Sequence, residues 1–296
     1  MPSDEATPAA PTPPAPPTEI AALPAAWQPL TFRGVGAFSQ AKLGRLLLVQ
    51  VIVALVVAGT VAWFLAIHWF PSVRKAIRQL PDNGAIRNGQ LTTPRDTTAP
   101  LVETRYLSVA VDAADTGVAS TLADVRIGFR KTNFVVCAFA GCVTRPYPPD
   151  QGIHFNRPEL QSWWGAWQPM LFGLISLAVV TGLFASWLAL ATLYFPIPWL
   201  IAYFKDRQLT ALGAWKLTGA ALMPGALLVV LGIVLYGLGI ADLLWLLVIW
   251  AAHIPLTWLY LSCAPFRLPR VAAKAPPNPF GPSKARTGSP FARRRS

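Results

Sequence analysis

The sequence predicts an α-helical polytopic membrane protein, with four transmembrane helices and a small antiparallel β-rich extracytoplasmic domain between the first and second. Three observations predict it. Four apolar runs, Leu46–Phe70, Leu171–Phe195, Leu217–Ile240 and Leu243–Cys263, contain no Asp, Glu, Lys or Arg. Each is long enough to cross a hydrocarbon core as a helix, which takes about 20 residues. Charged residues make up only 13% of the chain, against about 25% in an ordinary soluble domain. Between the first two runs, the apolar period changes from helical to alternating.

Residues 1–30 form a Pro/Ala-rich head, with Pro11, Pro13, Pro14, Pro16 and Pro17 close together. Proline removes amide donors and opposes helix, so a disordered cytoplasmic tail is expected. Residues 31–45 read as a basic interfacial lead-in carrying Arg33, Lys42 and Arg45. The first run, 46–70, is longer than the h-region of a cleaved signal and is expected to act as an uncleaved anchor.

Residues 71–165 form the expected outer domain. Arg74–Leu80 extends the first helix briefly. Asn88-Gly89 between Ile86 and Leu91 suits a type I′ hairpin turn, because both central residues need positive φ. Leu101–Val111 is rich in β formers, with Leu107, Val109 and Val111 on one face. Val125, Ile127 and Phe129 alternate, and Phe134–Cys137 is a further strand. Cys137 and Cys142 are separated by a connection that fits a hairpin, so their side chains meet disulfide geometry in an oxidising compartment. Two free thiols are the alternative. Their spacing excludes a CxxC motif, and with His154 the domain's one histidine, no zinc set forms.

Orientation follows from charge. Basic residues tie across the first run. The loop between the second and third carries Lys205, Arg207 and Lys216 against Asp206. The Gly239–Asp242 turn has no Lys or Arg, and residues 264–296 form a purely basic tail, expected to be disordered. Positive-inside counting therefore puts both termini in the cytoplasm and 71–165 outside, in a multi-pass protein of a bacterial inner membrane. The outer segment carries eleven basic residues beside eight acids, and is long enough to translocate as a domain regardless of charge. Trp163, Trp164 and Trp167 mark the outer entry to the second span; Tyr194, Trp199 and Tyr203 mark its inner exit.

The net charge of +12 raises the question of nucleic acid. Eight of the 25 basic residues lie in the last 30 positions, ending in Arg293, Arg294 and Arg295. Following a span, they are expected to meet anionic lipid at the cytoplasmic surface. The expected partners are thus the bilayer, its anionic lipids and an unidentified membrane or extracytoplasmic protein, with no nucleic acid.

Within the runs, His68 and His253 are the ionisable groups. His68 is expected to reach interfacial water. His253 lies deeper, two residues before Pro255, and is the candidate intramembrane polar site. Pro224-Gly225 predicts a kink, and Ala221/Gly225 and Ala54/Ala58 are spaced for close helix packing. Cys263 is expected as a free, packed thiol. No nucleophile elbow, zinc-protease signature, P-loop or dinucleotide fingerprint occurs. The expectation is therefore no enzyme, no cofactor and no metal, with no catalytic residues assigned.

Three readings of function are open. The first is a non-catalytic membrane protein, acting as sensor, scaffold or accessory subunit through its outer domain. The second is an oligomeric transporter or channel component, lined by Thr60, Ser176, Thr181, Ser186, Thr218, Thr257 and Ser262. The third is an enzyme on the outer face, built on Asp112, Asp115, Asp124, Arg126 and Arg130.

The order of lead-in, span, β-rich outer domain and span cluster, with Ile86-x-Asn88-Gly89-x-Leu91, Val109-Ala110-Val111-Asp112, Thr116-Gly117 and Val125-x-Ile127, resembles a bacterial integral membrane family. That family is domain of unknown function 1189, of the maltodextrin-utilisation type. The resemblance spans about residues 30–270 and implies architecture. The family has no established activity, so it implies no mechanism. The cysteine pair, the Pro-rich head and the Arg-rich tail depart from its pattern.

Overall fold

A computed structural model describes residues 27–93, 99–112, 123–150 and 152–271. Four helical stretches are long and apolar enough to cross a membrane: Leu43–Gln79, Arg157–Phe204, Ala211–Gly237 and Leu243–Arg267. The β-sheets occupy a separate region.

The lead-in is not merely interfacial. It forms α1 (Phe32–Ala37), N-capped by Thr31, and Val35 and Phe38 are fully buried against the helices. Aromatic contact between Phe32 and Tyr260 and a Tyr260 hydroxyl bond to the Leu30 carbonyl at 2.5 Å hold it there. The first long helix is α2 (Leu43–Phe64), a π-turn (Leu65–Trp69) and α3 (Phe70–Gln79). It therefore rises well past the apolar run.

The second helix also starts earlier than its apolar run. α4 (Arg157–Tyr194) is capped by Asn156, whose side chain accepts from Glu159 N at 3.0 Å. This cap and the acidic first turn favour a start there, so the Trp163–Trp167 stretch is helical. α5 (Pro196–Phe204) follows after the proline-marked bend. α6 (Ala211–Ala221) and α7 (Met223–Gly237) meet at Leu222, beside Pro224. Lys216 consequently lies in a helix and not in the loop, its ammonium donating to the Ala41 carbonyl at 2.8 Å. α8 spans Leu243–Cys263, capped by Asp242.

The α6–α7 stretch is the central one: 56% of its most apolar window is buried, against 11% for α4 and for α8. Leu46, Leu217, Met223 and Leu261 fill the core completely. The expected close packing at small residues holds at Gly225, where an added Cβ would lie 3.0 Å from Thr257 Oγ1 and 3.2 Å from the His253 carbonyl. Ala54 and Ala58 are likewise buried.

The start of the tail is ordered, contrary to the disorder expected from 264 onward. A 3-10 turn (Ala264–Arg267) brings Leu268 to 2% exposure. Arg207 donates to the Leu268 carbonyl at 2.6 Å, and Arg207 and Arg270 form an isolated bridge. Arg293, Arg294 and Arg295 lie outside the described residues, as does the head before residue 27.

The region between α3 and α4 holds two sheets. β1 (Ala85–Arg87) and β2 (Gln90–Thr92) make the expected hairpin, with Asn88 and Gly89 at φ 51° and 70°. The larger sheet has order β3-β4-β5-β6-β7, from β3 (Ala99–Glu103), β4 (Leu107–Asp112), β5 (Val125–Arg130), β6 (Asn133–Ala138) and β7 (Gly141–Pro146). It is not wholly antiparallel: β4 and β5 run parallel. The connection 113–124 is about the dozen residues that a parallel crossover requires. Leu107, Val109 and Val111 pack with Ile86, Leu91, Tyr147 and Phe155 beneath α3.

Candidate functional site

The polar side chains that converge lie where the sheet meets the helix ends. Thr104 turns the chain by accepting from Leu107 N at 3.1 Å. That turn presents Arg105 and Tyr106 immediately before β4. Because β5 runs parallel to β4, its leading residue Asp124 arrives beside them, donating its backbone N–H to the Arg105 carbonyl at 2.9 Å.

This trio grips the α7–α8 connection. Arg105 donates to the Ala241 carbonyl at 2.7 Å and to the Gly239 carbonyl at 3.4 Å. The Tyr106 hydroxyl donates to the carbonyls of Tyr236 and Gly237 at 2.9 and 3.3 Å. These are end carbonyls of α7, and that of Tyr236 also accepts from Gly239 N at 3.0 Å. The Tyr236 hydroxyl returns a bond to Asp124 Oδ2 at 2.5 Å. The Arg105 guanidinium lies 5.8–5.9 Å from the Tyr236 and Tyr106 ring centres. Positive charge thus sits over the C-terminal end of the α7 dipole, where it is favourable.

His68 joins the same place. Its ring packs 4.5 Å from the Tyr106 ring and 5.2 Å from that of Phe64. Its Nε2 is buried without a hydrogen-bond partner. The π-turn at Leu65–Trp69 contains it. Such bulges concentrate at functional sites.

His253 lies at a second place. It lines a cavity of about 180 Å³ between α2, α4, α7 and α8, with Ser186, Trp187, Trp250 and Thr257. His253 Nδ1 contacts the Trp250 carbonyl.

Of the candidate transport lining, Ser186 and Thr257 line the His253 cavity. Thr60, Ser176, Thr181, Ser186, Thr218 and Thr257 each donate to a carbonyl of their own helix three or four residues back. Ser186 and Thr257 share the cavity, while Thr60 and Thr181 are elsewhere on the surface.

The acidic set of the sheet region does not converge in one place. Asp112 pairs in register with Arg130 at the far end of the parallel pair, whereas Asp124 is at the near end. At about 3.3 Å per residue they are roughly 20 Å apart. Asp115 lies outside the described residues. Among the described residues, no group of three or more His, Cys, Asp and Glu could hold a metal.

Cys137 and Cys142 are register partners across β6–β7 and are joined by a disulfide. Cys263 is free and half-buried.

Gln50 is a polar residue that a search for ionisable groups passes over. It is 6% exposed on α2 and donates to the Gly219 carbonyl at 3.3 Å. A lone amide within an apolar run is the signal that marks it. Arg105, Tyr106 and Tyr236 carry no comparable signal, because their partners lie more than a hundred residues away.

Comparisons of the chain with protein-family models, with curated proteins and with solved structures returned no match.

Proposed function

We propose that the chain is a non-catalytic integral membrane protein whose outer sheet binds a ligand or protein partner, as a sensor, scaffold or accessory subunit. The observation that carries this reading is the polar grip of Arg105, Tyr106 and Asp124 on the α7–α8 connection. The dispersed hydroxyls, each bonded to its own helix, support a supporting role for the helices over a polar conduit. In this reading both termini are cytoplasmic, residues 71–165 are extracytoplasmic, and the basic tail meets anionic lipid. The likeness to domain of unknown function 1189 supports the same architecture. Its Ile86–Leu91 and Val109–Asp112 motifs fall on β1–β2 and β4, and Thr116-Gly117 lies outside the described residues.

The second reading, a transporter or channel component, draws on the His253 cavity. Two measurements separate them. Photo-crosslinkers at Thr144 and Arg145 on the exposed edge strand β7 should yield one discrete protein adduct in native membranes. Vesicles containing the purified protein should show no more ion or solute flux than empty ones. Flux that disappears in His253→Ala would replace the binding reading with transport. Orientation is checked with Gln90→Cys and Lys205→Cys in a Cys263→Ser background, which should label from opposite sides.

A further inference from the structure

We propose that the β6–β7 hairpin is a membrane foot: its tip residue Phe139 inserts into the interfacial layer of the outer leaflet beside the helix bundle. This rests on the membrane reading above and adds a lipid contact made by the sheet itself.

The sheet topology fixes the level of the tip. Arg105, Tyr106 and Asp124, immediately before β4 and β5, touch the α7–α8 connection. The starts of both strands are therefore the end of the sheet nearest the helices. Tyr106 also packs on His68, at the foot of α3. β6 is antiparallel to β5, with Arg126 opposite Cys137. One residue on, Ala138 is level with Val125, and the turn beyond it is level with Asp124. β7 starts from the same turn, with Ala138 opposite Gly141. Phe139 and Ala140 thus project from the helix-facing end, one to two strands from Asp124. Neighbouring strands are about 4.8 Å apart, so the tip lies roughly 5–10 Å to the side of that seat.

Composition agrees with the position. Phe134–Val143 contains no charged residue. Of the basic residues of β5–β7, Arg130, Lys131 and Arg145 lie at or near the opposite end, and Arg126, opposite Cys137, is the one near the tip. Phe139 is 71% exposed and Val143 56%. At the same level, the α7–α8 connection exposes Leu238 and Ile240, at 60% and 71%. An aqueous hairpin tip gains nothing from an exposed Phe between two alanines, whereas an aromatic ring at the headgroup boundary is favourable. The tight turn limits how many backbone polar groups reach lipid. Gly141, at φ 117°, supplies a conformation that other residues resist. The Cys137–Cys142 disulfide closes the turn just behind the tip and keeps Phe139 pointing outward.

The test uses the full chain in vesicles of phosphatidylethanolamine and phosphatidylglycerol. The photoreactive p-benzoylphenylalanine replaces Phe139, Lys131 or Leu177 in turn. Leu177 is 60% exposed on α4 and reports whether the bundle is in lipid at all. Lys131 is in the turn at the far end of the sheet. Lipid adducts at 139 and 177, and none at 131, are the expected result. Adducts at 177 with none at 139 would overturn the foot and leave the membrane reading standing. A crosslink from 139 to a second copy of the chain would also overturn it. No adduct at 177 would remove the membrane reading and the foot together. Retention of the bridged Cys137–Cys142 peptide in each variant checks that the hairpin is intact.

Discussion

The Tyr236 hydroxyl donates to Asp124 Oδ2 at 2.5 Å, tying the last turn of α7 to the residue that opens β5. Tyr236 is buried and Asp124 partly so, and the acceptor is a carboxylate. A hydrogen bond to a charged group contributes about 1.5–3 kcal/mol. Tyr236→Phe should therefore lower the unfolding free energy by about 2 kcal/mol. Paired with Asp124→Ala in a double-mutant cycle, it should give a coupling of about 1–2 kcal/mol. Additive single effects would mean that the pair is not an energetic link.

Helix packing should be intolerant at the crowded α7 glycines Gly225 and Gly232 and indifferent at the open Gly44 of α2. A Cβ on Gly232 would lie 2.8 Å from Ile249 Cγ2, and one on Gly225 would crowd Thr257 and the His253 carbonyl. Gly225→Val and Gly232→Val should each cost about 1–3 kcal/mol through overpacking. Gly44→Ala, where an added Cβ meets nothing, should be neutral or slightly stabilising. Thermal unfolding in detergent, compared across the three variants, checks the ranking.

Alkaline pH should weaken the sheet region through Tyr147. Burial pushes this phenol up from its ordinary value, and its hydroxyl donates to the Arg130 carbonyl at 3.0 Å. The unfolded chain ionises at about pH 10, while the folded chain keeps the proton. Below about pH 10 the contribution is fully present. It is lost as pH rises from there through the higher folded value. Tyr147→Phe should cost about 1 kcal/mol at neutral pH and should flatten this alkaline decline. An unchanged pH slope in the variant would assign the decline to another group.

The disulfide closes a short loop, with a sequence separation of 5. Chain entropy then allows it only about 2 kcal/mol. Reduction should accelerate amide exchange in β6 and β7 and leave β3 and β4 protected. Mass spectrometry without reductant should recover the bridged peptide lighter by two hydrogens. Uniform deprotection of all five strands would show that the bond supports the whole sheet.

Features set by local pattern were legible in the sequence. The uncharged runs mark the four long helices. Asn88-Gly89 marks its hairpin, and Pro224 marks the interruption at Leu222. Features set by distant pairing were not. Strand alternation is the same for either direction of pairing, so the parallel β4–β5 pair left no trace. Asn156-Arg157-Pro158-Glu159 is a readable helix start, but the apolar run begins much later and draws the border with it. Hydrophobicity marks where a helix meets lipid or core, not where its hydrogen bonding begins. The Arg105–Tyr106–Asp124 grip was hidden for another reason. Its partners are backbone carbonyls and one tyrosine, which have no compositional signature.

The chain leaves the helices through α3 and returns through α4, and these two segments are joined. Arg74 donates to the Gln168 side chain at 3.0 Å, Arg157 pairs with Asp82 at 2.6 Å, and the Phe70 and Trp164 rings are in contact. Seen from the helices, everything between Leu80 and Asn156 is a single very long loop whose ends are already held together. Loop closure grows only logarithmically with length, so the helical hairpin is almost indifferent to what that loop contains. The sheet is in this sense a passenger module. It is open to exchange for another fold of any size that begins and ends side by side, provided the newcomer finds its own way to occupy the α7–α8 carbonyls.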